Sequence, residues 1–152
     1  LFDIDNFKSI NDTHGHDGGD IVLCDIARIV EASARKGDIS ARWGGEEFIL
    51  LLPETDRNEA AVQAERLRAA VADLVIELPE TKISVTVSVG VAGTNNALFG
   101  NRGLSELSLE LLTRCADQAL YEAKRSGKNR VCKHKPAGKD SAIATRQMNF
   151  EL

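Results

Sequence analysis

The chain has 152 residues, of which 43% are hydrophobic and 28% are charged. These proportions are those of one ordinary globular domain, and they argue against a disordered, collagen-like or coiled-coil protein. Acidic residues outnumber basic ones by 23 to 19, so the formal charge is −4. We therefore expect no nucleic-acid partner, because no broad basic face is available. A local group of lysines or a metal could still hold the phosphates of one nucleotide.

The hydrophobic pattern predicts nine elements in the order strand, helix, helix, strand, strand, helix, strand, helix, strand. Their approximate bounds are residues 1–4, 5–13, 19–36, 39–43, 47–52, 56–74, 83–92, 105–126 and 130–133. Residues 93–103 predict a loop, and residues 136–152 a polar tail or linker. This order favours one α+β domain over residues 1–135, with a mainly antiparallel central sheet of about five strands and flanking helices.

Short local signals set several of these boundaries. Asp5 is predicted to cap the first helix, and Gly15 to end it. The glycine pair 44–45 between two strand-like runs is typical of a hairpin, because glycine reaches the positive φ angles of a tight turn. Asp56 followed by Glu59 fits a capping box at the start of the third long helix.

The three cysteines, Cys24, Cys115 and Cys132, are too few and too scattered for a disulfide framework. No apolar stretch is long enough to span a bilayer, and no signal peptide opens the chain. We therefore expect a cytoplasmic segment without membrane contact. Any membrane attachment of the full-length protein would be through regions upstream of this segment.

Carboxylates occur at two places that the predicted sheet could bring together. Asp3 and Asp5 stand where the first strand ends, a position suited to Mg²⁺. Glu46 and Glu47 follow the glycine pair at the head of the next hairpin strand. If that hairpin lies beside the first strand, Asp3 and Glu46 could share one or two metals and promote displacement at phosphorus. Taken alone, each pair is more often a helix cap or a set of surface glutamates.

Two further groups could contact a nucleotide. Asp20 beside Asn11 could complement the Watson–Crick edge of guanine, although both residues could equally satisfy backbone groups at helix ends. A basic group near the end of the last helix could neutralise a triphosphate, or simply complement the negative end of that helix. Its members are Lys124, Arg125, Lys128 and Arg130.

Four segments of the chain together resemble the GGDEF domain of bacterial diguanylate cyclases. They are DIDNFKSINDTHGHDGGD, RWGGEEF, SVGVA and DQALYEAKRSGKNRV, and they follow the family's order and spacing from residue 1 to residue 133. The resemblance implies the nucleotidyl cyclase fold, with a ferredoxin-like palm. It also implies an enzyme that condenses two molecules of GTP into cyclic di-GMP and releases two pyrophosphates.

The resemblance assigns roles to particular residues. Mg²⁺, with Mn²⁺ as an alternative, would be bound by Asp3, the backbone carbonyl of Ile4, Glu46 and Glu47. Glu46 also matches the family's proposed general base, and Lys8 matches a proposed transition-state stabiliser. The positions that match nucleotide contacts are Asn6, Phe7, Asn11, His16, Asp20, Lys124 and Lys128.

The resemblance also implies a homodimer and feedback by the product. One domain holds one GTP, so two domains must face each other for the 3′-hydroxyl of one GTP to attack the other. Arg35 and Asp38 form an RxxD motif, and Arg66 matches an auxiliary position of the same inhibitory site. Arginine suits such a site because its planar fork pairs with phosphate. We therefore expect cyclic di-GMP to act as an allosteric inhibitor.

Two other hypotheses stay open. A catalytically silent domain of this type would bind cyclic di-GMP or GTP as a sensor, but the intact GGEEF segment disfavours it. Another palm-like, two-metal nucleotidyl transferase is disfavoured by the match at the guanine positions.

The beginning of the chain leads to one more expectation. The only methionine is Met148, so Leu1 is not a natural initiator. Since domains of this family begin with a helix and a strand start that are missing here, we expect a domain truncated at its N-terminus. Sensory and dimerising parts are expected upstream, and the input signal and the activity of this segment alone are not predicted.

Overall fold

The computed structural model describes residues 1–93 and 109–135 of the chain. Most of the predicted loop at 93–103, the first residues of the predicted helix at 105–126 and the predicted tail at 136–152 lie outside the described residues. The elements are β1 (Phe2–Ile4), α1 (Phe7–Ser33), β2 (Ile39–Gly44), β3 (Glu47–Leu51), α2 (Arg57–Ala72), β4 (Ile76–Glu77), β5 (Lys82–Ile83), β6 (Val87–Val91), α3 (Leu109–Arg125) and β7 (Val131–Lys133).

The central sheet has five strands in the order β2-β3-β1-β6-β7. Strand β1 pairs antiparallel with both β3 and β6, and β2 pairs antiparallel with β3. Strands β6 and β7 run parallel, whereas β4 and β5 form a separate two-stranded antiparallel sheet. The predicted α+β fold with a mainly antiparallel sheet of five strands is therefore confirmed.

The main hydrophobic core lies between one face of this sheet and the helices α1 and α2. Phe2 of β1 stands opposite Phe48 of β3, and their stacked rings are 5.2 Å apart between centroids. Ile26 of α1 and Val71 of α2 are fully buried in the same cluster. The capping box of Asp56 at the start of α2 forms as predicted. None of the helices in the described part of the chain is long and apolar enough to cross a bilayer.

Helix α3 covers the other face of the sheet and lies very close to β6 at Gly90. A Cβ atom added to Gly90 would lie 2.1 Å from the carbonyl oxygen of Ala116 and 2.3 Å from the backbone nitrogen of Leu120. Only glycine allows two backbones to come so close. Small buried residues, Ala119 and Ala123, continue the contact along α3. This packing brings the C-terminal end of α3 towards the end of β1.

The start of α1 differs from the prediction. Asp5 does not cap the helix: Asn6 occupies the N-cap position with left-handed dihedrals (φ 59°, ψ 28°) and no side-chain cap. Asp5 is buried instead, because the hydroxyls of Thr86 and Ser88 donate hydrogen bonds to its carboxylate. The predicted break at Gly15 is confirmed: its dihedrals (φ 73°, ψ 171°) lie outside the helical region and divide α1 into two helical segments across a kink.

One strand prediction and the conformation of one turn are corrected as well. The run at 83–92 is not one strand but contributes to two sheets, since β5 pairs with β4 and β6 pairs with β1. The hairpin at 44–45 forms as predicted, but neither glycine adopts a positive φ. Instead, the β2–β3 register shifts between Arg42 and Gly44. Such an irregularity bends the strand locally next to the turn.

We predict that Gly90→Ala will destabilise the protein by about 1–3 kcal/mol, because the new methyl group overpacks the α3 backbone. The free energy of unfolding in urea measures this. Gly45→Ala is the matched control, since a Cβ there meets no atom within 4 Å, and it should change stability by less than about 0.5 kcal/mol. Equal effects of the two variants would contradict the role given to the Gly90 contact.

Candidate functional site

The end of β1 and the β2–β3 hairpin lie side by side, as the metal-site prediction requires. Asp3 stands opposite Glu47 in the antiparallel register, and the backbone N–H of Ile4 donates to the carbonyl of Glu46 at 3.2 Å. The guanidinium of Arg42 donates twice to the carbonyl of Gly45, at 3.0 and 2.6 Å, which holds the turn. The sheet therefore brings together carboxylates that are more than forty residues apart in the chain.

Asp3 is buried and forms an ion pair with Lys124, whose Nζ is 2.8 Å from Oδ2. Burial nevertheless raises the pKa of Asp3, although Lys124 opposes the shift. The pKa of Glu46 is raised by burial and then by the negative charge of Asp3. Each effect disfavours the ionised carboxylate. Burial is the larger cause at both residues, so the shifts show mainly that these carboxylates are partly withdrawn from water.

Side chains alone do not supply a complete set of ligands for a hard cation at this site. No three His, Cys, Asp or Glu side chains within residues 1–93 and 109–135 are grouped so that they could hold a metal ion. Asp3 and Glu46 supply carboxylate oxygens, and the carbonyl of Ile4 belongs to the same strand end. Carboxylate and carbonyl oxygens are the ligands that Mg²⁺ prefers, and it normally keeps several waters or substrate oxygens. The residues present therefore fit a cation that is shared with a bound ligand.

A second buried carboxylate, Asp5, lies two residues further on and has a different environment. Its Oδ1 accepts from the hydroxyl of Ser88 at 2.7 Å, and its Oδ2 accepts from the hydroxyl of Thr86 at 2.7 Å. The backbone N–H of Asn129 also donates to Oδ2, at 3.0 Å. The sequence prediction missed this cluster because the partners of Asp5 lie about eighty residues and more away in the chain.

Two residues with left-handed backbones meet at the edge of the site. Asn6 has φ 59° and Lys128 has φ 60°, and the Nζ of Lys128 donates to the Oδ1 of Asn6 at 2.5 Å. Phe7 is buried in the core, and Lys8 is exposed on the first turn of α1. The structure thus brings Asn6, Lys124 and Lys128 around the end of β1.

The kink in α1 places the candidate guanine-binding residues. The side-chain oxygen of Asn11 lies against Gly19, where an added Cβ would be only 1.9 Å away from it. Asn11 is therefore next to the residue that precedes Asp20, although eight positions separate them in the chain. Asp20 and His16 are exposed. The structure brings Asn11 close to the Asp20 segment and leaves His16 next to the kink.

The RxxD motif forms a tight turn after α1 and is joined to α2. The carboxylate of Asp38 accepts from the backbone N–H of Arg35 at 2.8 Å and from the side-chain amide of Gln63 at 3.3 Å. Gln63 is buried and also donates to the carbonyl of Ser33 at 3.3 Å. Arg66 lies one turn further along α2, so Gln63 links the helix of Arg66 to the motif. Sequence reasoning missed Gln63, because an amide within a helix is normally a surface residue.

Comparison with known proteins decides the family. A family model described as "Diguanylate cyclase, GGDEF domain" matches residues 1–130. The chain belongs to the GGDEF domain family. This confirms the resemblance that the four sequence segments predicted, and it gives the carboxylate site at β1 a family context.

The GGDEF domain of this chain is similar to several named proteins. Diguanylate cyclase A of Treponema denticola is 44% identical over 131 residues, and diguanylate cyclase DgcM of Escherichia coli K12 is 48% identical over 132 residues. Each match covers 86% of this chain, but only 33% and 29% of those proteins. The chain therefore spans about a third of the length of these curated relatives.

A solved structure has the same fold. The GGDEF domain of DgcB from Caulobacter crescentus, determined in complex with c-di-GMP, superimposes with a TM-score of 0.76 at 34% sequence identity. The match covers 88% of this chain and 74% of that chain. The sheet order and the helices described above are therefore those of a GGDEF domain.

We predict that Asp3→Asn will leave the free energy of unfolding at pH 7 unchanged or slightly higher when no metal is present. Because the pKa of Asp3 is raised on folding, its ionised form is less favourable in the folded protein than in the unfolded chain. This group therefore reduces stability as the pH rises through its folded pKa, and the variant should lack that dependence. Urea unfolding between pH 4 and pH 7 measures both effects.

Asp25→Asn is the control for this experiment, because Asp25 forms a surface ion pair with Arg28. Its loss should cost about 0.5 kcal/mol or less. A loss of about 3–5 kcal/mol in Asp3→Asn, as for a broken buried ion pair, would show instead that attraction to Lys124 outweighs the burial of Asp3.

Proposed function

We propose that this chain is the catalytic domain of a diguanylate cyclase, which converts two molecules of GTP into cyclic di-GMP and two pyrophosphates. The observation that carries the proposal is the grouping of Asp3, Glu46 and Lys124 at the end of the central strand β1. Relatives named diguanylate cyclases, with 44% and 48% identity over most of the chain, support the same function.

A divalent cation, Mg²⁺ or Mn²⁺, would be held by Asp3, the carbonyl of Ile4 and Glu46, with Glu47 beside them. When bound, it would neutralise phosphate charge in the transition state. The register that places Asp3 beside the Glu46–Glu47 turn supports this assignment. Burial raises the pKa of both Asp3 and Glu46, so a nearby cation would favour their ionised forms.

The protein's own groups would bind and orient the triphosphate. The N-terminus of α1 has no side-chain cap, so backbone N–H groups at Phe7 and Lys8 can donate to phosphate oxygens. Lys124 lies on Asp3 and Lys128 lies on Asn6 at the start of α1, and both would neutralise the terminal phosphates. Lys8 would stabilise the charge that develops at the reacting phosphate.

The base of the nucleotide would lie beside the kink in α1. Asn11 and Asp20 would recognise guanine through one amide and one carboxylate, which together match its donor and acceptor groups. His16 directly follows Gly15 and, like Asp20, belongs to the helical segment after the kink. The close contact of Asn11 with Gly19 supports this assignment, because it fixes the amide near the Asp20 segment.

The reaction needs a second domain. The 3′-oxygen of one GTP forms a bond to the α-phosphorus of the other, and the bond to pyrophosphate breaks. Glu46 would accept the proton of the 3′-hydroxyl. Two such displacements, one in each direction across a two-fold axis, close the ring. The active species would therefore be a homodimer.

Product feedback is the regulatory part of the proposal. Arg35 and Arg66 are exposed, and Asp38 is held by the backbone of Arg35 and by Gln63. Such a fixed turn with exposed guanidinium groups would bind the phosphates of cyclic di-GMP. A GGDEF domain of the same fold, that of DgcB, has been determined in complex with c-di-GMP, which supports binding of this ligand by analogy.

We predict that Glu46→Gln will reduce the formation of cyclic di-GMP from GTP and Mg²⁺ by at least about a hundredfold, because the variant cannot accept the proton. Product formation by the purified dimeric protein, separated by chromatography, measures this. Glu80→Gln is the control, since Glu80 is exposed on a loop. Full activity in Glu46→Gln would refute its role, whereas wild-type protein that binds the nucleotides without turnover would favour the sensor hypothesis.

We predict that Arg35→Ala will abolish inhibition by added cyclic di-GMP and leave the uninhibited rate within about twofold. The reason is the loss of a bidentate phosphate contact at a site separate from the carboxylates. Initial rates at increasing product concentration measure it. Arg28→Ala, an exposed arginine on the same helix, should remain inhibited. Unchanged inhibition of Arg35→Ala would exclude the RxxD turn as the inhibitory site.

A further inference from the structure

Asp5 is a buried carboxylate that the proposed reaction does not use. We infer that Asp5 is a positioning residue, which holds the loop of residues 127–130 in place and thereby fixes Lys128 at the phosphate end of the site. The inference deepens the proposed function, because the task of Lys128 rests on it. Asp5 itself would not touch the substrate.

The contacts of Asp5 join three parts of the fold. Its backbone N–H donates to the carbonyl of Thr86 at 2.9 Å, and its carboxylate accepts from the hydroxyls of Thr86 and Ser88, which stand before and within β6. The third donor is the backbone N–H of Asn129 in the loop. A buried carboxylate needs such donors to replace its water, so the cluster is stable only when all three segments stay in register.

The loop has a conformation that needs outside support. Lys128 and Asn129 have φ angles of 60° and 44°, directly after Gly127 at 114°. Two consecutive non-glycine residues in the left-handed region are strained, and such strain persists only where the surroundings impose it. The bond from Asn129 to Asp5 is an anchor from the sheet, and Arg68 of α2 adds a second anchor on the Asn129 side chain at 2.6 Å.

The anchored loop determines where Lys128 points. Its ammonium group donates to Asn6, the residue that directly follows Asp5. Asp5 therefore fixes both partners of this contact: Asn6 through the main chain and Lys128 through the hydrogen bond of its neighbour Asn129. If Asp5 lost its acceptor oxygens, the loop could relax towards right-handed dihedrals, and Lys128 would no longer lie beside the start of α1.

This role differs from metal binding in a way that a conservative variant reveals. In Asp5→Asn, the amide oxygen can still accept from Asn129, and the amide nitrogen can donate to a hydroxyl, because hydroxyls both donate and accept. Positioning should therefore survive Asp5→Asn and fail in Asp5→Ala. A metal ligand would be impaired by both changes.

The first arm of the test needs no nucleotide. Amide hydrogen exchange of Asn129 should be at least about tenfold faster in Asp5→Ala than in the wild type, and nearly unchanged in Asp5→Asn. The amide of Leu67 in α2 should stay protected, which shows that the domain is folded. If Asp5→Ala does not fold, Asp5→Ser replaces it, since its side chain is polar but too short to reach Asn129. Unchanged exchange of Asn129 in a folded variant would overturn the inference.

The second arm is a double-mutant cycle on the affinity for GTP with Mg²⁺, measured by calorimetry. Asp5→Ala and Lys128→Ala should each weaken binding by about tenfold, and the double variant should be little weaker than either, because both remove the same contact. Fully additive losses would overturn the assignment of Asp5 to Lys128. A wild type that does not bind GTP would refute the proposed function and this second step together, while the exchange arm would still report whether Asp5 holds the loop.

Discussion

The site depends on one constraint: strand β1 is inserted between β3 and β6 in a single antiparallel register. Pairing with β3 puts Asp3 opposite Glu47 and beside Glu46, and pairing with β6 puts Asp3 opposite Ser88. A slip of one residue would turn Asp3 into the hydrophobic core and Phe2 out of it. The stacked rings of Phe2 and Phe48 oppose such a slip, so core packing determines the geometry of the charged site.

Asp3 within β1 and Asp5 directly after it show how different surroundings can give two aspartates different roles. Asp5 is satisfied by neutral donors from the sheet and the loop. Asp3 has the ammonium of Lys124 as its partner, and its pKa is still raised by burial. The first environment suits a fixed structural role, and the second keeps a carboxylate available for a cation. Residue type alone does not distinguish the two.

The parts of the fold that sequence predicted were those that local chemistry determines. The capping box of Asp56, the hairpin at 44–45 and the strand at the start of the chain needed only neighbouring residues. The carboxylate site was predicted conditionally, because it required β1 to lie beside the hairpin. Asp5 was placed wrongly as a cap since its hydrogen-bond donors are distant in the chain.

The break of α1 at Gly15 was also predicted locally, whereas two further differences arise from distant contacts. The alternating run at 83–92 satisfies the pattern of a strand, yet two different partners divide it between two sheets. Gln63 gave no signal, because its burial depends on the turn that follows α1.

In the proposed site, Asp3 and Lys124 already neutralise each other before any ligand binds. A bare cation that approached Asp3 would compete with Lys124 and leave that ammonium without a partner. A cation bound to a polyphosphate would pair with Asp3 while the phosphates would pair with Lys124. Neither charged group would then be left without a counter-ion. If the site binds GTP with a cation as proposed, the pair would favour the metal–nucleotide complex over the free metal, and this selectivity would follow from a single salt bridge at the end of β1.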